Sequence, residues 1–184
     1  MFRQIAASLA GLLFAVTMLA QTASGADLAT PAGPVVLTVH GKIANANRGA
    51  LDQFEDAFFK FNDVSFDKAA AFDLAMLEKL GMQTLTAKYD AWPKAYKFEG
   101  PQLRDVLKAA GAQGSKVKIF AIDGYAAELT KQEIDSGAVL LAVKADDRYL
   151  GLGGRGPIWV VIPQGGDAKD DAKLVWSAIR IEVE

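Results

Sequence analysis

The sequence predicts an α+β domain, a mixed β-sheet with short flanking helices, and three observations carry that expectation. Helical and strand-like segments interleave without a steady βαβ rhythm, which argues against a doubly wound parallel sheet. The 184 residues are 51% apolar and 23% charged, with no visible linker, as expected for one globular domain and not for a disordered or repetitive chain. There is no cysteine, so the fold relies on its own core without disulfide staples.

In chain order, Met1 to Gln4 carries one charge, Arg3, and is followed by the uncharged run Ile5 to Ala20 and the small polar stretch Gln21 to Ala26. That order is the three-part export signal, with Ser24-Gly25-Ala26 supplying small residues before a cleavage point at Asp27. The competing reading is an uncleaved anchor, but the run is shorter than the roughly 20 residues needed to span a bilayer. The expectation is a signal peptide at 1–26 and a periplasmic or secreted protein that leaves the membrane after cleavage. Removing 1–26 deletes only Arg3 among the charges and takes the formal net charge of −2 to −3. This mild acidity removes the electrostatic basis for a nucleic-acid partner.

Residues 27–34, rich in small residues and proline, read as an extended lead-in, and the globular domain spans 35–184. Val35, Leu37, Val39 and Ile43 share one parity, giving a half-buried strand with His40 on its more polar face. Leu51, Phe54, Phe58 and Phe61 recur at helical spacing and predict an amphipathic helix over 51–61. Phe72, Leu74, Leu77 and Leu80 predict another over 72–80, stopped by Gly81. Residues 83–88 alternate as a strand and lead into a loop at Tyr89 to Pro93. Pro101 suits the first position of a helix whose buried stripe is Leu103, Val106, Leu107 and Ala110, ended by Gly111.

The second half is strand-rich. Lys116 to Ile122 and Tyr125 to Leu129 flank Asp123-Gly124, the signature of a two-residue hairpin turn with both central residues at positive φ. Thr130 and Glu133 have capping-box spacing. Ala138 to Val143 and Ile158 to Ile162 are continuous apolar runs of strand length, expected to be covered on both faces, with Asp146-Asp147 turning the chain after the first. Val175 to Val183 reads as a closing strand, placing Trp159 and Trp176 in the core.

The most conspicuous site motif is Gly151-Leu152-Gly153-Gly154-Arg155-Gly156-Pro157, where glycines let backbone N–H groups approach an anion and the guanidinium forks onto it. A strand follows it, so it is not a nucleotide fingerprint. The plainer reading is a tight connection with a solvent-facing arginine. Trp92, in its Tyr- and Pro-containing loop, either lines a pocket or folds back on the core, and Tyr125 is equally open. With one histidine and serines outside any nucleophile elbow, a hydrolase triad is not expected. His40 reads as a surface or satisfied histidine. Asp167, Asp170 and Asp171 lack the alternating ligand pattern of a calcium loop and read as a solvated turn, and Asp52, Glu55 and Asp56 read as first-turn helix acids.

Five blocks, Val36 to Ile43 (VLTVHGKI), Phe72 to Leu80 (FDLAMLEKL), Tyr96 to Ala112 (YKFEGPQLRDVLKAAGA), Phe120 to Leu129 (FAIDGYAAEL) and Arg155 to Pro163 (RGPIWVVIP), together resemble the sulfite-oxidase-type oxidoreductase molybdopterin-binding domain, in particular its short exported members. The resemblance covers most of 35–184 and implies the corresponding α+β fold and a molybdopterin cofactor. In that family a protein cysteine ligates molybdenum, and arginines and histidines hold the pterin phosphate and the anionic substrate. This chain has no cysteine and one histidine, and 81–97 carries Thr84, Thr86 and Tyr89 where the thiolate is expected. The resemblance then implies an exported protein without cysteine-ligated molybdenum. It would bind a small anionic ligand or a protein partner through Gly153, Gly154, Arg155, Gly156, Tyr125 and Trp92. The alternatives are an active molybdopterin-dependent oxidoreductase whose metal is held by pterin sulfurs and solvent, with Arg155 binding substrate, and a purely structural or sensory module.

Overall fold

The computed structural model describes residues 28–163 and 171–184, so the expected export signal and Asp167 and Asp170 lie outside the described residues. After an extended lead-in, the elements are β1 (Val35–Gly41), α1 (Ala57–Phe61), β2 (Ala69–Asp73), α2 (Leu74–Lys79), β3 (Gln83–Ala87), β4 (Tyr96–Gly100) and α3 (Leu103–Ala109). They continue as β5 (Lys116–Ala121), β6 (Ala126–Thr130), α4 (Lys131–Asp135), β7 (Leu140–Ala142), β8 (Lys144–Ala145), β9 (Arg148–Tyr149), β10 (Trp159–Val161) and β11 (Ala178–Val183). The domain is α+β with a mixed sheet, as expected.

The main sheet has the order β2-β1-β11-β5-β6, in which only the β1–β11 pair is parallel. The closing strand is thus inserted at the centre of the sheet, beside the first strand. A second sheet has the order β3-β4-β8-β9, and β7 pairs with β10 between the two. Leu37, Val39, Phe72, Ile119 and Ile181 from the main sheet pack with Leu77 of α2 and Leu103, Val106 and Leu107 of α3 into an aliphatic core. Strand alternation makes β7 and β10 a shared wall: Leu141, Val143, Ile158 and Val160 face this core, whereas Leu140, Ala142, Trp159 and Val161 face an aromatic cluster with Tyr89 and Phe98. The two apolar runs are therefore covered on both faces, although they form their own two-stranded pair.

Local chemistry explains several boundaries. The Asp73 carboxylate accepts from Met76 N–H at 2.8 Å as the N-cap of α2, and from Ala32 and Gly33 N–H at 2.8 Å each, which ties the lead-in to the sheet. Those backbone donors hold its pKa below the usual carboxylate value, with Met76 the largest cause. Thr130 and Glu133 complete the expected capping box on α4.

The structure corrects several local expectations. The helix predicted from Phe72 begins at Leu74. Phe72 belongs to β2, because the alanine-rich run Ala69–Asp73 is buried throughout and needs small side chains between packed layers. Pro101 precedes the helix, with Gln102 as N-cap. β4 occupies a segment in which no strand is predicted. The 51–61 stripe forms only the five-residue α1, and Phe54 and Phe61 are 86% and 82% exposed, because the segment lies over the sheet through other rings, Phe59 and Phe66. Asp123 does not take positive φ. The hairpin turn is one residue longer, with Gly124 N–H donating to Ala121 O at 3.1 Å and Gly124 alone at φ 87°, the geometry of a turn closed by a glycine bulge. Trp176 precedes β11 and is 47% exposed.

His40 is buried, not on a polar outer face, because the 48–66 segment covers that side of the sheet. Its Nε2 lies 2.9 Å from Arg180 Nη1, and since a guanidinium only donates, Nε2 must be the neutral acceptor. Burial first, and the Arg180 charge second, lower its pKa to about 4. The "satisfied histidine" reading is the one realised.

A candidate ligand cleft

A cleft of about 400 Å³ opens where the aromatic cluster reaches the surface, between the Trp92 loop, the β8–β9 turn and the glycine loop. Trp92 sits half-buried on the aromatic cluster, its ring centroid 4.8 Å from Tyr89, 4.9 Å from Trp159 and 5.6 Å from Phe98. Both readings of Trp92 are thus realised at once, since the same side chain packs on the core and lines the cleft. Tyr89 anchors the loop from below by donating its hydroxyl to Ile162 O at 2.6 Å, and burial, then the Asp171 charge, raises its pKa.

Arg155 lies on the cleft wall with its guanidinium carbon 4.4 Å from the Trp159 ring centroid and 5.3 Å from that of Trp176. Two indoles therefore contact one cation by cation–π interaction, and its N–H groups make no side-chain hydrogen bond with a described residue. Arg155 makes no ion pair with a described residue. Trp159 is 4% exposed, and its indole N–H has no hydrogen-bond partner among the described residues.

The glycine loop works differently from the anion cradle expected of it. Gly154 and Gly156 N–H both donate to Gly151 O at 3.2 Å, so these two amides are engaged within the loop. Gly156 is required for packing, since a Cβ there would fall 2.1 Å from Leu150 O. Of the six residues expected to bind ligand, Trp92, Gly154 and Arg155 meet at the cleft, whereas Gly153, Gly156 and Tyr125 do not line it. Tyr125 stands at the end of the β5–β6 hairpin, donating its hydroxyl to Ala172 O.

Sequence reasoning missed Tyr96, Arg148 and Tyr149, which line the same cleft. Their signal was faint: Asp146-Asp147 is recognisable as a turn, both residues taking positive φ, and Arg148 and Tyr149 follow it directly on the returning strand. Asp146 also lines the cleft, but its carboxylate is paired with Lys94, the first cause of its lowered pKa. Arg148 and Arg155 therefore dominate the local field, and the cleft is cationic with aromatic walls.

The donor set does not fit a molybdenum anchored by the polypeptide. The chain has no cysteine, its one histidine is engaged with Arg180 away from the cleft, and no three of His, Cys, Asp and Glu converge among the described residues. No protein-family model matches this chain, and no curated protein matches it.

Proposed function

We propose that this is an exported domain of the sulfite-oxidase-like, molybdopterin-binding class that works without polypeptide-ligated molybdenum and binds a small anion in the Trp92–Arg155 cleft. The observation that supports it is the Arg155 guanidinium, in cation–π contact with both Trp159 and Trp176 at the wall of a cleft of about 400 Å³. A guanidinium already in contact with two rings loses little further freedom on binding, and its planar fork matches a carboxylate, sulfonate or phosphate. Arg148 adds a second positive charge, and Trp92 and Tyr96 supply apolar wall for the body of the ligand.

Trp92 and Trp159 line the cleft and Trp176 touches Arg155, so binding is observable by fluorescence. A panel of carboxylates, sulfonates and phosphate esters is screened by thermal shift and tryptophan emission. At least one anion should raise the melting temperature and quench emission, and Arg155→Ala should abolish both effects while far-ultraviolet circular dichroism is unchanged. If no anion shifts the parent, or the variant responds equally, the reading fails. Stoichiometric molybdenum and pterin in protein from a cofactor-making host would replace it with the oxidoreductase reading.

A further inference from the structure

The four outer edges of the two larger sheets are treated very differently. On β2, Asn47 acts as a substitute strand: its side-chain amide accepts from Ala71 N–H and donates to Ala71 O, both at 2.7 Å, while Arg48 exchanges backbone bonds with Ala69 at 3.1 and 3.2 Å. β6 carries Glu128, paired with Lys116, and the short 3-10 turn at Asp171–Lys173 packs beside it. β9 is two residues long and carries Arg148. These are the usual ways of blunting an edge: a cap, a charge, a cover or brevity.

β3 has none of them. Its five residues, Gln83–Ala87, contain no charge and no proline, pair with β4 without a bulge, and make no hydrogen bond on their outer side to any described residue. Leu85 packs against the aromatic cluster, and Thr84 and Thr86 on the other face are exposed. The strand is long enough to pair, rich in threonine and left bare by the described residues.

We infer that β3 is a pairing edge through which two copies of this chain join antiparallel about a two-fold axis at Leu85, making one continuous eight-stranded sheet from the two four-stranded sheets. The order Thr-Leu-Thr is what makes a second copy the fitting occupant. An antiparallel two-fold centred on Leu85 sets Leu85 opposite its own copy, Thr84 opposite Thr86, Gln83 opposite Ala87 and Met82 opposite Lys88. Apolar then meets apolar on one face and threonine meets threonine on the other, a favourable cross-strand pair, with no like charges opposed. A slip by one residue sets Leu85 against threonine across the two faces. A parallel in-register pairing sets Lys88 against Lys88 and does not close. This inference does not rest on the chemistry of the anion cleft.

The test is sedimentation velocity of the purified protein over a wide concentration range, with two double variants. Thr84→Lys with Thr86→Lys opposes lysine to lysine at both two-fold-related pairs and should weaken dimerisation by at least about tenfold. Thr84→Lys with Thr86→Glu opposes lysine to glutamate across the axis and should restore it. Within each copy Thr84 lies opposite Glu99 and Thr86 opposite Lys97, so the restoring pair also suits β4, and an unchanged melting temperature checks the fold. Hydrogen exchange at the β3 amides should slow as concentration rises. A parent that stays monomeric throughout, a double-lysine variant that dimerises like the parent, or an association removed instead by Phe54→Ser with Phe61→Ser overturns the inference.

Discussion

The two sides of the β7–β10 wall are built from different materials. One side is aliphatic but for Phe72, and closed: Leu37, Phe72, Leu77, Leu103, Ile119, Leu141 and Ile181 are essentially inaccessible. The other is aromatic and opens to solvent, with Tyr89, Trp92, Phe98 and Trp159 meeting at ring separations of 4.8 to 5.6 Å and ending in the cleft. Aliphatic side chains interdigitate to crystal-like density and leave no room for a ligand, whereas large flat rings with a polar edge form walls. Stability and recognition are thus divided between the two faces of one pair of three-residue strands.

Deleting one ring from each side separates these roles most sharply. Phe72→Ala, in the closed core, should cost about 4 kcal/mol by chemical denaturation, through lost transfer energy and the cavity left behind. Trp92→Ala, at the open edge, should cost about half of that or less while removing any anion response, since a half-exposed ring loses less burial. Equal costs at the two positions would show that the aromatic side is as structural as the aliphatic one.

Acid reaches neither cluster first. His40 lies across the main sheet from the aliphatic core and is held neutral, with a pKa of about 4, by burial and by Arg180. The unfolded chain takes up that proton near pH 6.5 and the folded chain does not, so stability is lost as pH falls from about 6.5 to about 4, by about 3 kcal/mol in all. The loss from this group levels off below that window. Urea midpoints at pH 7.5, 5.5 and 4.5 measure the slope, and His40→Gln should flatten it. Smallest of all should be Phe54→Ser with Phe61→Ser: with both rings over 80% exposed, the unfolding free energy from urea denaturation should change by no more than about 0.5 kcal/mol per site, against several for a core phenylalanine.

The same contrast explains what was legible in the sequence. Leu103, Val106 and Leu107 were readable because a helix that buries one face leaves a 3.6-residue period. The capping box at Thr130 was readable because it closes within four residues. The alanine-rich β2 was not, since alanine favours helices and only packing against β1 makes Ala69–Asp73 a strand. The phenylalanines of 51–61 misled for a related reason: spacing identifies a stripe but not whether anything covers it. Half of the expected ligand residues met at the cleft; Gly153 and Gly156 belong to the same motif as Gly154 and Arg155, but a motif does not say which of its residues the fold turns towards a cleft.

By itself the amino-acid order determined the α+β class, the absence of any polypeptide thiolate, and the two-sided burial of the apolar runs at 138–143 and 158–162. Each of these is a property of composition or short-range period. The tertiary structure decided that the last strand lies beside the first, that Arg155 contacts both Trp159 and Trp176, and that Arg148 and Tyr149 join Trp92 across some 60 residues of chain. Those are meetings between distant segments, set by strand order and packing, and no local pattern encodes them.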